Sequence, residues 1–173
     1  EVDLGEGIKP TAWLQNCGVD YIYNQDVFIF AEYTRPQHEI AYIWRITEPI
    51  TESSNWQTTQ SQILSGSMTI GMKHYHTINY DTYSGVVYAA TGDDDLSSKV
   101  FASSDYGQTW AQILEGREHA RLLNFIFTEN KIYWANDDYN IHGLYSADRN
   151  EYGVLDPNTI DTLADLSDYP ATY

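Results

Sequence analysis

Short runs of strand character recur along the chain between clusters of turn residues: DYIYN, DVFIFAEYT, EIAYIWRIT, HYHTINYD, GVVYAATGD, KVFASSD, LLNFIFTEN, KIYWANDD and GLYSADRN. Their lengths and spacing predict an all-β protein with hairpin connections. Only EGREHARLL and NTIDTLADL carry a hint of helical spacing, so helix is expected as a minor component. Aromatic residues make up 14% of the chain, with 15 tyrosines, and many stand beside Val, Ile and Thr, which favours sheet further.

The stretch SSDYGQTW, residues 103 to 110, breaks this pattern in an informative way. It alternates like a strand, yet Asp105 and Gly107 are poor strand residues and good turn residues. The expected arrangement is a hairpin. Ser103 ends one strand, Asp105 turns its carboxylate onto backbone N–H groups, Gly107 takes a left-handed conformation, Thr109 resumes the next strand and Trp110 buries its ring.

The hairpins repeat. In HTINYDTYSGVVYAATGDDDLSSKVFASSDYGQTW and LLNFIFTENKIYWANDDYNIHGLYSADRN, Tyr88, Ala90, Asp93 and Asp94 fall opposite Tyr133, Ala135, Asp137 and Asp138. Ser103 and Asp105 fall opposite Ser146 and Asp148, and Gly107 opposite Asn150, a substitution suited to positive φ. The period is about 43 to 45 residues, the size of a four-stranded propeller blade. An earlier, degenerate copy runs from DVFIFAEYT to SSNWQ. There Glu32 lies near the place of Asp93, Trp56 near that of Trp110, and Thr47 and Pro49 replace the serine and aspartate. A longer spacing of about 60 residues to the next copy implies a loop inserted within TEPITESSNWQTTQSQ.

The pattern Ser-x-Asp-x-Gly-x-Thr-Trp, filled by Ser103, Asp105, Gly107, Thr109 and Trp110, resembles the Asp-box, or bacterial neuraminidase repeat, of sialidase-like β-propellers. The resemblance covers roughly residues 21 to 155 and implies an all-β fold of about three to four four-stranded blades. Blades would occupy 21–155, with the full Asp-box in 74–115. Residues 1–20 would be an N-terminal segment or part of a preceding blade, and 156–173 a connection or cut end. Closing a ring takes about four to eight blades, so the expectation is an incomplete propeller whose further blades come from the same or other chains. The family includes sialidases, other glycan-active enzymes and many non-enzymes, and its motif marks architecture rather than activity. A sialidase would also bring an arginine triad, an Arg-Ile-Pro motif, a tyrosine nucleophile paired with a glutamate, and an acidic proton donor. The chain has no Arg-Ile-Pro and only five arginines, so that activity is not carried over.

Charge narrows the partners. With 25 acidic and 9 basic residues the net charge is -16, without a basic cluster, so a nucleic-acid backbone would be repelled. The same balance suits a secreted or extracytoplasmic protein. Cys17, the single cysteine, cannot pair within the chain and leaves the compartment open. No run of about 18 apolar residues is present to insert in a bilayer.

Candidate chemistry lies on the inner strands and the loops beside them. His74 and His76 share one face of a strand, where they can bind a metal, hydrogen-bond a sugar, or act as base and acid. Arg121 is the nearest candidate for gripping a carboxylate or sulfate. Glu32, Asp93, Asp94, Asp137 and Asp138 end the second strands and can gather at one opening, work on a glycosidic bond, share a calcium ion, or simply cap turns. Substrate-binding candidates are therefore His74, His76, Arg121, Glu32, Asp93 and Asp137. Catalytic residues are not assignable, no metal-ligand set is assigned, and calcium is the only cofactor that the composition of TGDDDLSS suits. Tyr33, Tyr75, Trp134 and Tyr139 are aromatic platforms or packing residues. The expected partner is a glycan, met by a glycoside hydrolase or lyase, a non-catalytic binding propeller, or a structural module.

Overall fold

A computed structural model describes residues 18–33, 41–47, 57–58, 74–136, 138, 140 and 142–166. Within them the chain is all-β, forming three four-stranded antiparallel sheets, each a meander in chain order. The first contains β1 (Val19–Ile22), β2 (Val27–Ala31), β3 (Ile43–Thr47) and β4 (Gln57–Thr58). The second contains β5 (Tyr75–Tyr80), β6 (Val87–Thr91), β7 (Lys99–Ser103) and β8 (Ala111–Glu115). The third contains β9 (Leu122–Phe127), β10 (Lys131–Asn136), β11 (Gly143–Asp148) and β12 (Asp161–Asp165).

The sheets stack because the middle one is apolar on both faces. Val87 and Ala89 of β6 join Ile22, Ile29, Ile43 and Ile78 in a core against the first sheet. Tyr88 and Ala90, the alternate positions, join Leu122, Phe125, Ile132 and Trp134 in a core against the third. That division leaves all of β6 buried, and it accounts for the unbroken apolar run. β5 packs against both β1 and β9, so the first strands of the three sheets lie side by side. Polar ties cross the second interface too. The buried Tyr88 hydroxyl accepts from Leu155 N–H at 3.0 Å, and burial pushes that phenol well above its usual pKa. Arg149 pairs with the fully buried Asp81 and donates to Thr128 O at 2.8 Å.

SSDYGQTW forms the turn between β7 and β8. Asp105 accepts from Gln108 N–H at 3.0 Å, Thr109 N–H at 2.7 Å, Ser103 Oγ at 2.7 Å and Thr109 Oγ1 at 2.6 Å. Gly107 takes φ 83 and donates its N–H to Ser103 Oγ at 2.8 Å. Tyr106 shares the left-handed conformation at φ 59, and its carbonyl accepts from Arg45 Nε at 3.2 Å, which ties the turn to β3. Trp110 is half-buried against the core between the first and second sheets.

Four expectations are corrected. NTIDTLADL is not helical: after a short 3-10 turn at Pro157–Thr159 it pairs with β11 as β12, because ladder pairing overrides a weak local spacing. The third sheet therefore extends past residue 155, into the stretch expected as a connection. In EGREHARLL only α1 (Arg117–Ala120) is helical before β9 begins. In the partial repeat, Gly153 and not Asn150 takes positive φ, at 76. Asn150 instead does what Asp105 does, its Oδ1 accepting from Tyr152 N–H at 2.9 Å and Val154 N–H at 3.0 Å.

Candidate functional site

Meander topology brings the ends of β2, β6 and β10 and the starts of β5 and β9 to one rim of the three sheets. Most of the chemistry-bearing side chains singled out above stand there. His74 immediately precedes β5 and His76 is its second residue; both are buried, at 6% and 3% exposure. Their rings stack with centroids 5.0 Å apart, and the two Nε2 atoms lie 3.1 Å from each other. Asp93, in the loop after β6, faces both: its carboxylate oxygens are 3.6 Å from His74 Nε2 and 3.7 Å from His76 Nε2. Its side chain is one-third exposed, at 32%, so this three-residue cluster opens to solvent through the aspartate. The Tyr33 ring covers His74, with centroids 4.0 Å apart.

Backbone geometry around the cluster is unusual. Asp93 has φ 139, a region that side-chain-bearing residues rarely enter. Beside it, a Cβ added at Gly92 would meet His76 Cε1 at 2.7 Å, so only glycine lets the loop come down onto the imidazole. Arg121 holds the loop from the other side, donating from Nη1 to Asp93 O at 3.0 Å. The same Nη1 donates to Asp138 at 3.1 Å, and Arg117 Nη2 reaches the same carboxylate oxygen at 2.6 Å. Burial pulls the His76 imidazole below its ordinary pKa, Asp93 opposes the change and Arg121 assists it.

The remaining candidates are engaged in holding the fold. Glu32 is buried and committed to the first sheet, accepting from Trp44 Nε1 at 2.9 Å and Tyr42 N–H at 3.0 Å. Asp94 caps its own turn, accepting from Leu96 N–H at 3.0 Å and Ser97 N–H at 2.9 Å. Arg121 is nearly buried between Asp93 and Asp138, which makes it a strut for the loop rather than an open fork. Trp134 is buried, its Nε1 donating to His119 O at 2.9 Å, and packs rather than presenting a platform. Tyr75 is fully buried as well, and burial with the nearby Glu32 pushes its phenol far up. Asp137 and Tyr139 lie outside the described residues. Sequence reasoning missed Arg117 and Gly92; the second was visible only as the glycine of TGDDD.

No protein-family model matches the chain, and no curated protein sequence matches it either. Solved structures do. A chain of a nidogen/laminin complex superposes with TM-score 0.58 at 11% identity, covering 95% of this chain and 57% of that one. A chain assigned as a 6-phosphogluconolactonase from Bacteroides uniformis superposes with TM-score 0.52 at 16% identity, covering 83% of this chain and 39% of the other. Both neighbours are propeller-like, and the chain spans little more than half of one and less than half of the other. At these identities the likeness is one of fold alone.

Proposed function

We propose that the chain is part of an incomplete, sialidase-like Asp-box β-propeller that binds carbohydrate at the rim where β5, β6 and β9 meet. The observation behind this reading is the convergence of His74, His76 and Asp93 beside the Tyr33 ring. Sugar hydroxyls both donate and accept, and imidazole nitrogens and a carboxylate supply the complementary atoms. An aromatic ring at the edge offers an apolar platform for a sugar's C–H face. Because Arg121 is occupied with the loop, the ligand favoured is a hydroxyl-rich one rather than one gripped by its acid group. A secreted or extracytoplasmic location goes with this reading.

A catalytic version, a glycoside hydrolase or lyase, draws support from one observation: burial favours a neutral His76, which keeps a basic lone pair near pH 7 beside the Asp93 carboxylate. Further blades belong to the proposal. The outer face of the third sheet carries Leu123, Leu144 and Ile126, the last 65% exposed, around a groove of about 290 Å³. The occupant that fits is another four-stranded sheet, since that is what covers the corresponding face of the second sheet.

The test is an array of neutral, uronic and sialylated oligosaccharides probed with the full chain. Binding should fall at least tenfold in His76→Ala and persist in Asp105→Asn. A folded protein that binds nothing on the array, or His76→Ala binding as the parent does, refutes the reading; release of reducing ends decides the catalytic version.

A further inference from the structure

We infer that His74, His76 and Asp93 form an open site for a divalent first-row transition metal. The spacing of their donor atoms carries the inference. Ligands around a zinc-type ion at about 2.1 Å stand about 3.0 Å apart at right angles and about 3.4 Å apart in a tetrahedron. The two Nε2 atoms stand 3.1 Å apart, and their closest approaches to Asp93, 3.6 Å from His74 to Oδ2 and 3.7 Å from His76 to Oδ1, lie just beyond those values, with one carboxylate oxygen turned to each imidazole. All three donor atoms fall within 4.8 Å of one another.

Two further observations point the same way. Asp93 keeps its φ of 139 because Arg121 fixes its carbonyl, and backbone strain held by surrounding structure is concentrated at ligand sites. Gly92 lets the loop approach His76 more closely than any side chain would permit. Among the described residues, Arg121 is the cation that acts on His76, and it pairs, as Arg117 does, with the buried Asp138, which offsets its repulsion of a cation.

Donor chemistry selects the ion. Two imidazoles and one carboxylate suit Zn²⁺, Co²⁺, Fe²⁺ or Mn²⁺, whereas Ca²⁺ takes oxygen ligands. Three protein ligands leave coordination positions open toward solvent, as in metal sites that handle a ligand or water. The site shares its residues with the proposed carbohydrate rim, but its test uses the metal alone, so either reading can fail without the other.

The experiment titrates chelator-stripped full chain with Co²⁺, read by visible absorption, and with Zn²⁺, read by calorimetry. One equivalent should bind with a dissociation constant of about 1 µM or tighter, a coordination-dependent Co²⁺ band should develop, and Zn²⁺ should displace it. His76→Asn and Asp93→Asn should each weaken binding at least tenfold, and Asp105→Asn should not. Should a variant fail to fold, ¹⁵N-resolved imidazole spectra of the unaltered chain take its place: Zn²⁺ must shift the Nε2 signals of both His74 and His76. Absence of saturable binding, equal binding in the variants, or unmoved imidazole signals overturns the inference.

Discussion

Replacing Gly107 by alanine would bring a methyl carbon to 2.4 Å from Ile29 Cδ1, across the interface between the second and first sheets, at a residue held at φ 83. Two costs follow. An L side chain in the left-handed region costs about 1–2 kcal/mol, and overpacking a core contact adds about 1–3 kcal/mol. A loss of about 2–5 kcal/mol is therefore expected, a large share of the roughly 5–15 kcal/mol that holds a domain together. For a chain of this size each kcal/mol moves the melting temperature by about 2–4 °C, so thermal unfolding followed by circular dichroism should fall by about 4–20 °C. Ile29→Val separates the two costs, because valine has no Cδ1. Alone it should cost about 0.5–1.5 kcal/mol. Combined with Gly107→Ala it should restore the steric part and leave the conformational part, a favourable coupling of about 1 kcal/mol or more. Strict additivity of the two substitutions, or a melting temperature within 2 °C of the parent for Gly107→Ala, would refute both the clash and the role assigned to the turn.

Other outcomes follow from the same geometry. Burial alone would raise the Asp105 carboxyl, but hydrogen bonds from Thr109, Ser103 and Gln108 outweigh it and hold the pKa below its usual 3.8. Since the folded value is the lower one, the stabilisation is present above pH 3.8 and drains away as pH falls below it. Melting curves between pH 7 and pH 2.5 should show a steeper acid loss for the parent than for Asp105→Asn, and parallel curves would contradict this. Asp81→Asn leaves Arg149 short of its charge partner in a buried position, so urea denaturation should show a loss of about 3–5 kcal/mol; an unchanged midpoint would show that the pair contributes nothing.

Each strand run read from the sequence became a strand, and the strands marked weakly or not at all, β8 only by the turn before it, are the outermost of their sheets. β8 and β12 are mostly exposed, and β4 is two residues long, so no buried periodicity marks them. The Asp105 turn was legible because its chemistry is local: the side chain bonds to backbone within four residues. His74 and His76 were readable as a pair from the two-residue period of a strand. Their meeting with Asp93 was not, since it depends on the β5–β6 pairing and on the close approach at Gly92. Glu32 was left open for the complementary reason: carboxylates at equivalent strand ends could gather at one opening or cap turns, and the indole of Trp44 claims this one within its own sheet. Arg117 could not have been foreseen from the pattern, because its partner Asp138 lies across the gap between α1 and the end of β10.

Among the described residues the middle sheet is walled on both sides while the third has one exposed flank, and this inequality orders how the molecule comes apart. Opening should begin where a neighbour is missing, at β12 and the flank around Ile126, and reach β6 last. A companion sheet seated on that flank would then act as a brace for the chemistry at the rim, since β9 and Arg121 belong to a layer supported from one side.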